Sequence, residues 1–129
     1  MWTQVRSSQD RRGDHRLSTQ LFLNEYVDDD GRRSLVRDIS VRGVRLQRLA
    51  SLSRMERRAV GLELVLPGTS EVIWARAEPR FERLDTNFEW RGLMFAGMAR
   101  KHMRLLSDYL YEQARLRREF ARALGQAAH

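Results

Sequence analysis

The chain has 129 residues, of which 42% are hydrophobic, which suits one domain with a core of its own. It contains no cysteine, which excludes disulfides and thiolate metal sites, and its apolar runs are too short for a signal peptide or a membrane span. Its net charge of +7 rests on arginine, since Lys101 is the only lysine. Coding bias also enriches arginine, so a partner has to be inferred from particular arginines. We therefore expect a single-domain, soluble cytoplasmic protein.

Six short strands are predicted after a polar, flexible arm at residues 1–11. Apolar and polar residues alternate from Leu17 onward, and turn residues follow at 28–31. The later strands are predicted at about 33–39, from Val44, at 60–66, at 72–77 and at 89–95, with turns at 67–68 and 85–87. Residues 49–59 are ambiguous, with one helical turn around Arg54 as an option, and Pro79 indicates a bend or a sheet edge. Strands at this spacing favour a small barrel or sandwich, which hides their edges.

A helix is predicted after Gly97, where apolar residues recur at a spacing near 3.6 up to Gly125, which we expect to end it. About 25 residues at about 1.5 Å each give about 37 Å, which is more than a small barrel can cover. The second half should therefore overhang the barrel. The arginines of this second half suit either a solvent-exposed face or a surface for self-association or for a partner protein. They are Arg115, Arg117, Arg118 and Arg122.

Two short motifs carry the chemistry of the chain. The first is Arg12-Gly-Asp-His-Arg16, preceded by Arg11, and the second is Asp38-Ile-Ser-Val-Arg-Gly43 on a connection between two strands. An Arg-x-x-x-Arg spacing carries little information in so arginine-rich a chain. The second motif has Asp or Asn, then Ser two positions later, then Gly three positions after that. Composition alone predicts only about 0.04 occurrences of this pattern in a chain of this kind. The second motif is therefore the informative one.

The residue types of the two motifs suit a guanine nucleotide. Guanidinium groups pair with phosphate oxygens and with O6 and N7 of guanine. A carboxylate at Asp38 can accept from guanine N1 and N2, and a hydroxyl at Ser40 can bond a base or a phosphate. A glycine at Gly43 leaves room for a flat ring. The motifs together predict a site for an anion that carries guanine.

The pair of motifs resembles the PilZ domain, the bacterial receptor module for cyclic di-GMP. The family pattern is Arg-x-x-x-Arg in an N-terminal loop and Asp/Asn-x-Ser-x-x-Gly on a following strand, matched by Arg12/Arg16 and by Asp38/Ser40/Gly43. Later segments at 62–67, 72–76 and 92–95 also resemble the family in order and spacing, so the resemblance covers about residues 10–112. It implies a mainly β fold: a six-stranded antiparallel Greek-key (split) β-barrel at 12–98 and a long C-terminal α-helix at 99–125.

The resemblance also implies roles for single residues. The motif arginines would hold phosphates and guanine, and Asp38, Ser40 and Gly43 would surround a guanine on the barrel. An arginine directly before the first motif arginine, as at Arg11, is typical of members that bind two cyclic di-GMP molecules as an intercalated dimer. Trp74 corresponds to an aromatic near the ligand, although a tryptophan that only packs in the core explains it equally well.

We therefore expect a stand-alone cyclic di-GMP receptor. Binding would order the N-terminal arginine loop and change the interaction with an unidentified downstream protein that governs motility, biofilm polysaccharide or virulence. Self-association through the C-terminal helix would fit this expectation. The scattered His15, His102 and His129 argue against an enzyme, and neither a metal nor a resident cofactor is expected.

Two other functions remain open at this stage. One is a small-barrel nucleic-acid-binding protein, favoured by the positive charge and by Phe88, Trp74 and Trp90 as stacking candidates. Nucleic-acid binding does not require Asp38, Ser40 and Gly43 at the spacing of the second motif, which makes it the weaker interpretation. The other is a degenerate PilZ scaffold that acts only through its long helix. The intact motifs count against that reading.

Overall fold

The structure, a computed structural model that describes residues 16–49 and 58–127, consists of six strands and one helix within those ranges. The strands close into a barrel in the order β1-β2-β3-β6-β5-β4, and every neighbouring pair is antiparallel. The elements are β1 (Leu17–Val27), β2 (Asp30–Ile39), β3 (Gly43–Leu49), β4 (Val60–Val65), β5 (Val72–Leu84), β6 (Phe88–Met98) and α1 (Arg100–Ala127). The predicted fold class, a six-stranded antiparallel barrel with a C-terminal helix, is confirmed.

Several strands are longer than the sequence pattern predicts, and β2 and β5 show why. β2 begins at Asp30 because a tight turn with a positive φ at Asp28 joins it directly to β1. β5 continues through Pro79 to Leu84, and its pairing with β6 shifts between Pro79 and Phe81. Such an irregularity accommodates a residue that has no N–H to donate. Pro79 thus marks a bulge inside the barrel wall, and the helical turn considered around Arg54 lies outside the described residues.

The barrel interior is filled by the apolar half of each alternating strand. Val36, Ile39, Val44 and Leu46 are almost completely buried, and the same cluster includes residues from every other strand. Burial of this kind is the main favourable term in folding, about 25 cal/mol per Å² of apolar surface. The outward-facing positions are left free to be polar, and the candidate site occupies some of them.

Two ion pairs lie at inward-facing positions among these apolar residues. Arg91 of β6 and Glu25 of β1 form a salt bridge, with only 2% and 1% of their side chains exposed. Burial lowers the pKa of Arg91 to about 10, so the guanidinium still carries its charge at neutral pH. Nearby, Arg48 pairs with the buried Glu89 through two hydrogen bonds of 2.9 and 3.0 Å. These pairs let charged side chains occupy inward positions that the alternation alone assigns to apolar residues.

The helix α1 has two parts that differ in exposure. Leu106 and Leu110 are buried against the barrel, and Arg117 donates a hydrogen bond to the backbone carbonyl of Ser18. Every side chain from 118 to 126 is exposed. The predicted end of the helix at Gly125 is wrong, because the helix continues to Ala127. A glycine inside a helix lowers its stability by about 1 kcal/mol relative to alanine, but it keeps its backbone N–H and does not interrupt the hydrogen bonds. Across the described ranges, no helix has both the length and the apolar character needed to cross a bilayer.

Candidate ligand-binding site

Asp38 joins two arginines on the outer wall of the barrel. It lies near the end of β2, opposite Arg45 of β3 and just after an irregularity in the pairing of these two strands. One carboxylate oxygen accepts a hydrogen bond from Nε of Arg16, and the other forms a salt bridge with Arg45, 2.7 Å from its Nε. The structure therefore brings together Arg16 and Asp38, which the sequence separates by 22 positions. Because both arginines use Nε, their terminal nitrogens can face a ligand.

Ser40 holds the turn that follows Asp38. Its backbone N–H donates to the carbonyl of Gly43 at 2.9 Å, and its Oγ accepts from the backbone N–H of Arg42 at 3.1 Å. The residue is 1% exposed. The hydroxyl therefore stabilises the turn, which is a role that the motif alone does not reveal.

Gly43 begins β3 and lies opposite Met94 of β6. A β carbon on Gly43 would be 2.1 Å from the carbonyl oxygen of Leu93, which is a backbone atom that cannot easily move. Next to it, the backbone N–H of Phe95 donates to the carbonyl of Arg42 at 2.8 Å. Glycine is thus required for strand packing as well as for leaving the surface flat.

An open pocket of about 360 Å³ lies beside this turn. Part of its floor is backbone at Gly43 and Gly92, and Phe81 of β5 lies directly over Gly92. The charged residues that line it, among those described, are all arginines: Arg16, Arg42, Arg45 and Arg80. The volume is within the range of small-molecule sites. A flat apolar floor with a rim of guanidinium groups suits a flat ring that carries phosphate, and we refer to this pocket as the motif pocket.

The other predicted site residues lie elsewhere. Arg11 and Arg12 fall outside the described residues. Trp74 is on β5 and is 40% exposed, with its ring tilted against Tyr26 at a centroid distance of 6.0 Å. Its backbone N–H donates to Nδ1 of His102 at 3.1 Å, and its side chain does not line the motif pocket. The structure brings together Arg16, Asp38, Ser40 and Gly43 but not Trp74, whose assignment to the ligand stays a prediction.

Sequence reasoning missed three residues of the motif pocket. Arg45 follows Gly43 by two positions, so strand alternation places it on the same outer face, but nothing in the sequence distinguishes it from the other arginines. Arg80 and Phe81 come from β5 and reach the pocket because β5 pairs with β6 around the barrel. Only the strand order supplies that information. No group of His, Asp or Glu among the described residues is arranged to hold a metal ion.

Comparison with known proteins supports the fold. No family model matches the chain, and no curated protein matches it. A similar solved structure is that of the inhibitor of motility MotI/DgrA from Bacillus subtilis, with a TM-score of 0.67 and 19% sequence identity. The match covers 77% of this chain and 49% of that chain, so the chain spans about half the length of that protein. The likeness agrees with the six-stranded barrel predicted from the sequence.

Proposed function

We propose that this protein is a receptor for cyclic di-GMP and binds it in the motif pocket. The observation that carries the proposal is that Arg16 and Gly43 line one pocket, while the buried Asp38 holds Arg16 and the buried Ser40 holds the turn to Gly43. These residues belong to two motifs that resemble those of the PilZ domain. The similarity to an inhibitor of motility is consistent with this proposal.

The pocket offers a guanine nucleotide each kind of contact that it needs. A guanine ring can lie on the backbone at Gly43 and against Phe81, whose ring covers Gly92. Asp38 is 6% exposed and does not line the pocket, so its part is to hold Arg16 and Arg45 in place beside it. The terminal nitrogens of the two arginines then contact phosphate oxygens as charge-assisted hydrogen bonds.

The receptor would act as an adaptor rather than as an enzyme. Arg11 and Arg12 would close over the ligand, so that binding orders the N-terminal segment and changes the surface offered to a downstream protein. We propose that this happens in the cytoplasm and without a resident cofactor. Because the similar structure is named an inhibitor of motility, motility is the first process to examine.

Titration calorimetry with cyclic di-GMP tests the proposal. We expect the double variant Arg12→Ala/Arg16→Ala to bind at least about 30-fold more weakly than the wild type, since each bidentate contact contributes about 1 to 3 kcal/mol. Arg118→Ala/Arg122→Ala is the matched control, because it removes two exposed arginines at the same spacing from the helix end. We expect it to bind like the wild type.

Two results would contradict the proposal or part of it. A correctly folded wild type that releases no heat with cyclic di-GMP would overturn the receptor function. Unchanged affinity in the Arg12→Ala/Arg16→Ala variant would leave a receptor standing but would show that other groups hold the phosphates.

A second candidate function is nucleic-acid binding, and one observation favours it. Trp90 lies half-buried on the outer wall, with Arg45 and Arg83 at 5.9 and 5.4 Å from its ring. An indole between guanidinium groups is a stacking platform for any base. This candidate does not explain why the Asp38 and Gly43 positions are arranged as they are.

A further inference from the structure

A second pocket lies next to the motif pocket, and we call it the Trp90 pocket. It has a volume of about 440 Å³ and forms where the outer faces of β1, β2, β3 and β6 meet the helix α1. Its charged and aromatic lining residues are Arg37, Arg45, Trp90 and Arg117. Nε1 of Trp90 donates to Oδ2 of Asp85 at 3.1 Å, which fixes the indole as one wall. Arg45 also lines the motif pocket, so a molecule in the Trp90 pocket would lie beside the proposed ligand.

The Trp90 pocket holds positive charge that the described residues do not neutralise. None of the described residues that line it is acidic. Arg45 pairs with Asp38, but neither Arg37 nor Arg117 forms a salt bridge with a carboxylate in the described part of the chain. Arg117 donates to the backbone carbonyl of Ser18, which is neutral. Two guanidinium groups from different elements without a carboxylate between them form a site that an anionic group stabilises.

A stripe of exposed apolar side chains continues from this pocket along α1. Leu116, Phe120 and Leu124 are spaced by four residues, so they lie on one face of the helix, and Arg117 borders that face. Their side chains are 44%, 67% and 57% exposed. We call these three residues the helix ridge. Apolar side chains grouped in this way at the surface, with arginines around them, are typical of a site that another molecule covers.

The charges around the helix ridge favour one kind of molecule. Arg117, Arg118 and Arg122 flank it, and the nearby acid, Glu119, already pairs with Arg115. A second copy of this chain would bring the same arginines together, and its net charge of +7 opposes that contact. A nucleic acid matches the arginines but has no aliphatic side chains for the helix ridge. A protein segment with carboxylates beside an apolar face matches both features.

We propose that the Trp90 pocket and the helix ridge together dock an acidic amphipathic helix of a partner protein. Its carboxylates pair with Arg37 and Arg117, and its apolar face lies on the helix ridge. From Arg117 to Leu124 the axis of α1 rises about 10 Å, so a partner helix of about three to four turns reaches both parts. As an account of the downstream protein this inference rests on the proposed function, although the docking itself needs no cyclic di-GMP.

Fluorescence polarisation with a designed peptide tests the docking in the absence of cyclic di-GMP. The probe is a labelled peptide of about 20 residues in which Leu and Glu recur at helical spacing, so that glutamates flank one apolar face. A scrambled peptide of the same composition has the same charge but no apolar face. We expect the wild type to bind the probe at least about 10-fold more tightly than the scrambled peptide, because only the probe covers the helix ridge. A version with Lys in place of Glu should bind more weakly than either.

The pocket arginines are tested by a pair of charge variants. Arg37→Ala/Arg117→Ala should weaken binding of the probe by at least about 10-fold, because it removes both guanidinium groups that pair with the carboxylates. Its matched control is Arg33→Ala/Arg104→Ala, which removes exposed arginines of the same strand and helix that do not line the pocket and should bind like the wild type. Arg37→Glu/Arg117→Glu should bind the lysine version more tightly than the wild type does.

The helix ridge is tested by a variant that keeps every charge. Phe120→Ala/Leu124→Ala should lower the affinity for the probe to that for the scrambled peptide and leave binding of the scrambled peptide unchanged. Both side chains are exposed, so this variant keeps the fold and tests the inference even if the arginine variants unfold. Tyr111→Ala is its control, because this side chain is 68% exposed on the opposite side of the same helix, and it should bind like the wild type.

Three results would overturn the inference. Equal affinity for the probe and the scrambled peptide would show that charge alone attracts them. A wild type that sediments as a dimer, and as a monomer after Phe120→Ala/Leu124→Ala, would assign the helix ridge to a second copy. Tighter binding of a single-stranded oligonucleotide than of the probe, lost in Arg37→Ala/Arg117→Ala, would make the surface a nucleic-acid site. A wild type that binds the probe but releases no heat with cyclic di-GMP would overturn only the proposed function.

Discussion

At the scale of single residues, Gly43 has a backbone role that can be separated from ligand binding. A β carbon at this position would meet the carbonyl oxygen of Leu93 at 2.1 Å, whereas one at Gly61 would find its nearest neighbour, Cβ of Tyr26, at 3.8 Å. We expect Gly43→Ala to lower the free energy of unfolding by about 1 to 3 kcal/mol, as overpacking does. Gly61→Ala should leave it unchanged or raise it by up to about 1 kcal/mol. Urea denaturation of both variants measures the difference, and equal effects would contradict it.

The buried pair of Arg91 and Glu25 leads to a second prediction at this scale. Arg91→Met leaves the carboxylate of Glu25 buried without this partner, so we expect the free energy of unfolding to fall by about 3 to 5 kcal/mol. The double variant Arg91→Met/Glu25→Leu should recover most of that loss, because apolar side chains fill the same space without a charge. Chemical denaturation at neutral pH provides the measurement.

An exposed pair provides the control for this prediction. Lys101 and Glu71 lie 3.9 Å apart at the surface, so Lys101→Met should change the free energy of unfolding by no more than about 0.5 kcal/mol. If the single variant Arg91→Met and the double variant Arg91→Met/Glu25→Leu lost the same free energy of unfolding, the ion pair would not be what holds these side chains inside the barrel.

At the scale of elements, α1 is divided into a packed part and an exposed part. Leu110 is buried against the barrel, and Phe120 is 67% exposed. We expect Leu110→Ala to lower the free energy of unfolding by about 2 to 4 kcal/mol, because it opens a cavity. Phe120→Ala should change it by no more than about 0.5 kcal/mol. A large loss from Phe120→Ala in thermal denaturation would show that the exposed part is covered in solution.

The sequence predicted the end of a strand well where neighbouring residues determine it, and poorly where pairing with a distant strand determines it. The turn at Pro67 and Gly68 was predicted, and the structure confirms it with a positive φ at Gly68 and a bond from the Thr69 N–H to the Leu66 carbonyl. By contrast, Pro79 was predicted to mark a bend or an edge but lies within β5. A closed barrel has no edge, so the residue is accommodated by an irregular pairing with β6.

At the scale of the whole molecule, the net charge of +7 attracts any polyanion, so salt dependence separates the two candidate functions. A cyclic dinucleotide presents two phosphates to a shaped site, so the slope of log affinity against log salt should be no steeper than about −2. An oligonucleotide that neutralised the six arginines lining the motif pocket and the adjacent pocket beside Trp90 would give a slope of about −4. Fluorescence polarisation with both probes measures the slopes. A steep slope for cyclic di-GMP would favour non-specific attraction.

The sequence by itself determined the fold class and the centre of the candidate site. Alternation, turn residues and helical spacing are properties of neighbours in the chain, and they specify six strands and a helix before any packing is known. The motif Asp38, Ser40 and Gly43 is equally local, and in the structure Ser40 and Gly43 bond across the turn that follows Asp38.

The tertiary structure decided which of the many arginines surround that turn. Arg45 and Arg80 belong to different strands and line the motif pocket together only because the barrel closes. Closure also places Trp74 away from the motif pocket and brings Trp90 beside Arg45. The physical reason is that strand order and register depend on long-range pairing, which no local pattern in the chain encodes.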